Sequence, residues 1–194
     1  MDEFSYLSVL LSVILGLALT HLLRGLAKLL QLRRSSRIYV PQLLWSFNVV
    51  LNVLAVWWGM FWWRNLADWN FGWFLFITLF AIVLFIWSYM LYPPEIPHDF
   101  DAQAFFFDNR RWFFALALAF VVMDILEVLV KARFGLRMMP QQYPLLASAL
   151  VVIGVVGLFT SNRRVHAVLP VAWFAVVVVY ELLSAVHRIV ASVH

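Results

Sequence analysis

The stretch from Arg111 to Arg133, RWFFALALAFVVMDILEVLVKAR, constrains the fold more than any other. It is apolar over the length of a membrane span, yet it carries Asp124 and Glu127 inside the run and Lys131 at its end. The three stand at i, i+3 and i+7, so a helix puts them on one face. A central Asp costs roughly 2.5–3.5 kcal/mol on insertion scales, against about 0.3–0.6 returned by each Leu, Ile, Phe or Val. The charged face must therefore turn toward protein or water. An intramembrane carboxylate is by default a functional-site hypothesis.

The rest of the chain repeats the apolar pattern. Of 194 residues, 65% are hydrophobic and 12% charged, about half the charged share of a soluble domain. The mean hydropathy is +0.91. These values predict one integral membrane domain, an all-α bundle of six transmembrane helices. Runs this long exclude the ~10-residue alternation of a β-barrel strand. The absence of cysteine excludes disulfides, Cys-ligated zinc and thiol catalysis. The net charge of +4 sits at span ends and not on a soluble basic face, so nucleic acid is not an expected partner. Asp2 and Glu3 stand where a signal peptide would be positive, so the first apolar run reads as a retained span.

The predicted spans are about 4–23, 41–63, 71–92, 112–130, 143–159 and 168–190. A basic stretch with Arg24, Lys28, Arg33, Arg34 and Arg37 follows the first. Pro41, Pro144 and Pro170 each fall near a helix start, where the missing N–H costs nothing. Phe105, Phe106 and Phe107 read as an interfacial turn feeding the fourth span. With the N-terminus outside, inner loops hold nine Lys and Arg and outer loops five. The positive-inside rule then places both termini on the outer side of the cell's inner membrane. Trp57, Trp58, Trp62, Trp63, Trp69 and Trp73 gather on the outer side as an interfacial girdle.

An offset of 103 residues aligns His21, Arg24 and Lys28 with Asp124, Glu127 and Lys131, and Pro41 with Pro144. One reading of this is a three-plus-three inverted repeat.

The remaining polar residues within spans suggest a charged centre. Ser8, Ser12 and Gly16 recur every four residues, as at close helix contacts. His21 and Arg24 lie near the inner end of the first span. Asn48 and Asn52 share a stripe of the second, as interhelical hydrogen bonders or as a polar lining. Glu181, Ser184 and His187 lie on the sixth, and Glu181 is expected to converge with Asp124 and Glu127. A buried acid needs a partner or a proton. Candidate partners are Lys131 on the same helix and His21, Arg24, His187 or Arg188 from others.

The leading expectation is a small transporter or channel for protons, ions or a small polar solute. Its pathway would be Asp124, Glu127 and Glu181, with Asn48, Asn52, His21, Arg24, Ser184 and His187 around them. So small a chain would need a second copy or more, so a homo-oligomer is expected, in a lipid bilayer and with no cofactor. The alternative is a non-transporting scaffold or sensor whose buried charges fasten helices. A third is an intramembrane metal-dependent enzyme, which no HExxH, GxSxG or Walker motif supports.

Phe4 to Val9, then Leu15-Gly16-Leu17, the basic turn, Leu43-Leu44-Trp45 and Trp57-Trp58 together resemble a group of uncharacterised bacterial multi-pass membrane proteins. The resemblance implies a bacterial membrane location and no activity.

Overall fold

The computed structural model describes residues 2–33 and 37–193, with side chains as far as 184. Its elements are α1 (Glu3–Gln31), α2 (Val40–Met60), a 3-10 turn (Phe61–Asn65), α3 (Phe71–Tyr89), α4 (Ala102–Arg133), α5 (Tyr143–Phe159) and α6 (Arg163–Val193). Five of the six helices are long and apolar enough to cross a membrane, and α5 is shorter at 17 residues.

Local chemistry sets the helix ends. Asp2, Asn70, Asp101 and Asn162 are N-caps, their side chains accepting from the main-chain N–H of Ser5, Trp73, Ala104 and Arg164. These bonds satisfy donors that a helix start leaves open. At the end of α4 the chain reverses at Gly135, whose φ of 66° favours glycine. The N–H of Leu136 then reaches the Lys131 carbonyl at 2.9 Å, and that of Gly135 the Ala132 carbonyl at 3.2 Å, a Schellman closure.

Three boundaries differ from expectation. α1 continues through the basic stretch, because Leu22, Gly25 and Leu29 extend the buried seam of Leu7, Leu11, Leu15 and Ala18. Their spacing of three and four keeps one helix face inward, so Arg24 and Lys28 lie on helix. α4 begins ten residues early, at the Asp101 cap, and absorbs the three phenylalanines. Phe106 is buried, with its ring 5.7 Å from Phe113 and 5.9 Å from His166, and Phe105 and Phe107 are half-buried against the core, so the expected interfacial turn is helical and packs on the core. Pro170 lies inside α6, two turns in, because Asn162 caps that helix earlier than the apolar run suggests.

The helices close a ring in the order α1, α3, α4, α5, α6, α2, and α2 also leans inward against α3 and α4. Aromatic side chains fill the middle. Trp45, Trp87 and Trp173, from α2, α3 and α6, are fully buried. Trp173 lies 5.5 Å from Trp45 and 5.7 Å from Trp87, centroid to centroid. Phe113 from α4 packs on Trp45 and Trp87 at 5.1 and 5.7 Å. Such rings bury large areas at low entropic cost.

The small-residue stripe of α1 is not the tight contact. Ser8, Ser12 and Thr20 donate back to carbonyls four residues earlier on their own helix, and a Cβ at Gly16 would meet nothing within 4 Å. The close approach is at Gly25, where a Cβ would overlap the Tyr92 ring.

Candidate functional site

The acids of α4 lie at the end of the ring where α2 stops and α5 starts. Glu127 and Lys131 are both buried, at 6% and 2% exposure. They form the predicted i,i+4 ion pair. The indole Nε1 of Trp63 donates to Glu127 Oε1 at 3.1 Å. The Lys131 ammonium donates to the carbonyl oxygen of Gly59 at 2.6 Å. That carbonyl belongs to the last turn of α2, where the helix dipole favours a cation. The ammonium also lies 5.7 Å from the Trp63 ring centroid. Each charge thus has its opposite and a further hydrogen bond. A buried ion pair needs both if attraction is to offset lost hydration.

Asp124 sits one turn closer to the middle of α4. Its Oδ2 accepts from the Tyr143 hydroxyl at 2.7 Å, and Tyr143 is the first residue of α5. The ion pairs found among the described residues do not include Asp124. Its side chain is half-buried. Measured along α4 at about 1.5 Å per residue, Asp124 stands ~21 Å and Glu127 ~26 Å from Arg110. Arg110 marks the other end of the ring, where it donates to the Thr160 carbonyl at 3.4 Å.

No hydrogen bond or ion pair found among the described residues joins Glu181 to Asp124 or Glu127. Glu181 is exposed on α6, and it is its neighbour Tyr180 that reaches the acid cluster, with its ring 6.4 Å from Tyr143. Consecutive residues on a helix point about 100° apart, so a one-position error moves a side chain off the face. Ser184 is buried. The side chains of His187 and Arg188, and all of Arg34, lie outside the described residues.

The asparagines of α2 divide. Asn48 is buried and donates to the Pro170 carbonyl of α6 at 2.8 Å. Asn52 donates to the Asn48 carbonyl of its own helix at 2.7 Å. Only the first joins two helices. His21 lies at the opposite end from the acids, with its ring stacked on Tyr89 at 3.8 Å and 11°. Arg24 is exposed one turn further on.

Several polar residues that hold the site or its frame carry no sequence signal of their own. Trp63 is expected to face outward with Trp57 and Trp58, and is fully buried while those two are exposed. Tyr143 reads as a helix start. Gln42 is fully buried and donates to the Leu91 carbonyl, and Ser46 bonds the Tyr92 hydroxyl at 2.7 Å. His166 is fully buried, with Nε2 3.0 Å from the Thr160 carbonyl. Among the described residues no three His, Asp or Glu side chains come together to hold a metal ion.

Compared with protein-family models, curated proteins and solved structures, the chain matches none.

Proposed function

We propose that the chain is a multi-pass integral membrane protein of the non-transporting kind, a scaffold or sensor module whose buried charges fasten helices. The observation that carries this reading is the closed set of Trp63, Glu127, Lys131 and the Gly59 carbonyl, which leaves neither charge free for a solute. The aromatic filling of the ring centre supports it. So does depth. With Arg110 at one boundary of a hydrocarbon core about 30 Å thick, the acids fall in its far third and not at the midplane. The nine-to-five division of Lys and Arg supports both termini outside, and the resemblance in the first three spans supports a bacterial inner membrane. A three-plus-three halving is not part of the proposal, since α1 packs on α2 and α3 whereas α4 packs on α5 and, across the halves, on α3.

A second reading, a homo-oligomeric carrier or channel for protons, ions or a small polar solute, is favoured by Asp124, half-buried and without a Lys or Arg ion-pair partner among the described residues. Flux in reconstituted liposomes separates the two. The fastening reading predicts proton and alkali-cation flux no greater than in protein-free liposomes. Wild-type flux that Asp124→Asn abolishes, in a variant still folded, would establish the second reading instead.

A further inference from the structure

At the opposite end from the acids, α1 and the chain leaving α3 enclose a cleft of about 450 Å³. One wall is the last part of α1, with His21, Arg24, Lys28 and Gln31 at i, i+3, i+7 and i+10. That register keeps them on one face. The facing wall includes Tyr92 and Glu95. We infer that this cleft is a binding site for a phosphate-bearing anion, held by Arg24 and Lys28.

Three observations carry the inference. The first is charge. Arg24 and Lys28 outnumber Glu95, and the ion pairs found among the described residues leave all three out. The two cations are therefore not spent on a neighbour, unlike Lys131. The second is a rigid frame. Tyr92 is buried, hydrogen-bonded to Ser46 and seated against the bare Gly25, and Tyr89 stacks on His21. A site held by packed residues keeps its shape before the ligand arrives. The third is chemistry. Guanidinium and ammonium groups recognise phosphate oxygens, Arg by a planar fork and Lys as a point charge. Gln31 adds a neutral donor at the rim.

A phospholipid headgroup and free phosphate share this chemistry. Purified protein in detergent is titrated with dioleoylphosphatidylglycerol, with dioleoylglycerol, which lacks the phosphate, and with inorganic phosphate. Lipid binding is read by native mass spectrometry and phosphate binding by calorimetry. Phosphatidylglycerol is expected to bind the wild type about thirtyfold more tightly than R24Q/K28Q, following roughly fivefold per basic residue, with dioleoylglycerol indifferent to the change. The same loss seen with inorganic phosphate alone identifies the soluble anion as the ligand. R24K/K28R retains binding, and Glu95→Gln tightens it, which keeps the test decisive if R24Q/K28Q fails to fold. Equal binding of both phosphates to wild type and R24Q/K28Q overturns the inference; if R24Q/K28Q does not fold, the absence of tighter binding in a folded E95Q overturns it.

Discussion

The two ends of the helical ring use the same kinds of side chain in opposite ways. At one end Lys131 is enclosed with Glu127, an indole N–H and a main-chain carbonyl. At the other, Arg24 and Lys28 line an open cleft and pair with no acid among the described residues. Position along the helix makes the difference. Lys131 stands in the last turn of α4 beside the end of α2, where a carbonyl and an acid are within reach. Arg24 and Lys28 share α1 with no acid at i±3 or i±4. A charge that is closed in serves stability, and a charge that is left open can serve recognition.

Several substitutions sharpen that contrast, beginning with the largest expected effect. Lys131→Met or Glu127→Gln alone leaves a buried charge or its partners uncompensated, and each should destabilise by about 3–5 kcal/mol. Thermal unfolding in detergent reads this directly. Gly25→Ala should cost about 1–3 kcal/mol by overpacking against Tyr92, whereas Gly16→Ala, with open space around it, should be neutral or gain about 0.5–1 kcal/mol from helix propensity. Equal losses at the two glycines would show that the seam does not run where α1 is seen to bury. Asn48→Ala removes the α2–α6 hydrogen bond and should cost about 0.6–1.7 kcal/mol, while Asn52→Ala should cost less. R24Q/K28Q should leave stability within about 0.5 kcal/mol, since Arg24 is exposed, Lys28 half-buried and neither is in an ion pair found among the described residues; a large loss would place the open cleft among the fastening elements.

The smallest effect concerns pH at the start of α1. Hydrogen bonds from the Ser5 side chain and main-chain N–H hold the Asp2 carboxyl below the usual carboxylate range. Its capping contribution is therefore full above the ordinary Asp pKa and is lost as pH falls through the depressed value. Asp2→Asn, which caps without titrating, should remove that acid dependence from the order of the first turn, followed by NMR chemical shifts.

Much of this was legible in the sequence, and the parts that were not share a cause. Apolar runs locate the helices, and the i,i+4 spacing alone pairs Glu127 with Lys131. What runs along one helix is readable because the geometry of that helix is known. What crosses between helices is not. Trp63 looks like its outward neighbours Trp57 and Trp58, and only the position of α4 turns it inward to Glu127. Tyr143 meets Asp124 because α5 starts at that level. Glu181 stays exposed because α6 turns Tyr180 toward Tyr143 instead. The basic stretch hides a helix because its charges mask a leucine seam, which Leu22 and Leu29 continue beneath them.

The central claim, that the α4 charges exist to hold helices together, is tested most directly by a double-mutant cycle on Glu127→Gln and Lys131→Met. Each single change should destabilise strongly, and the double change should recover at least about 2 kcal/mol relative to the sum of the two, as expected for a directly coupled pair. Two additive losses, or a double variant no more stable than that sum, would show that the pair does not fasten the fold.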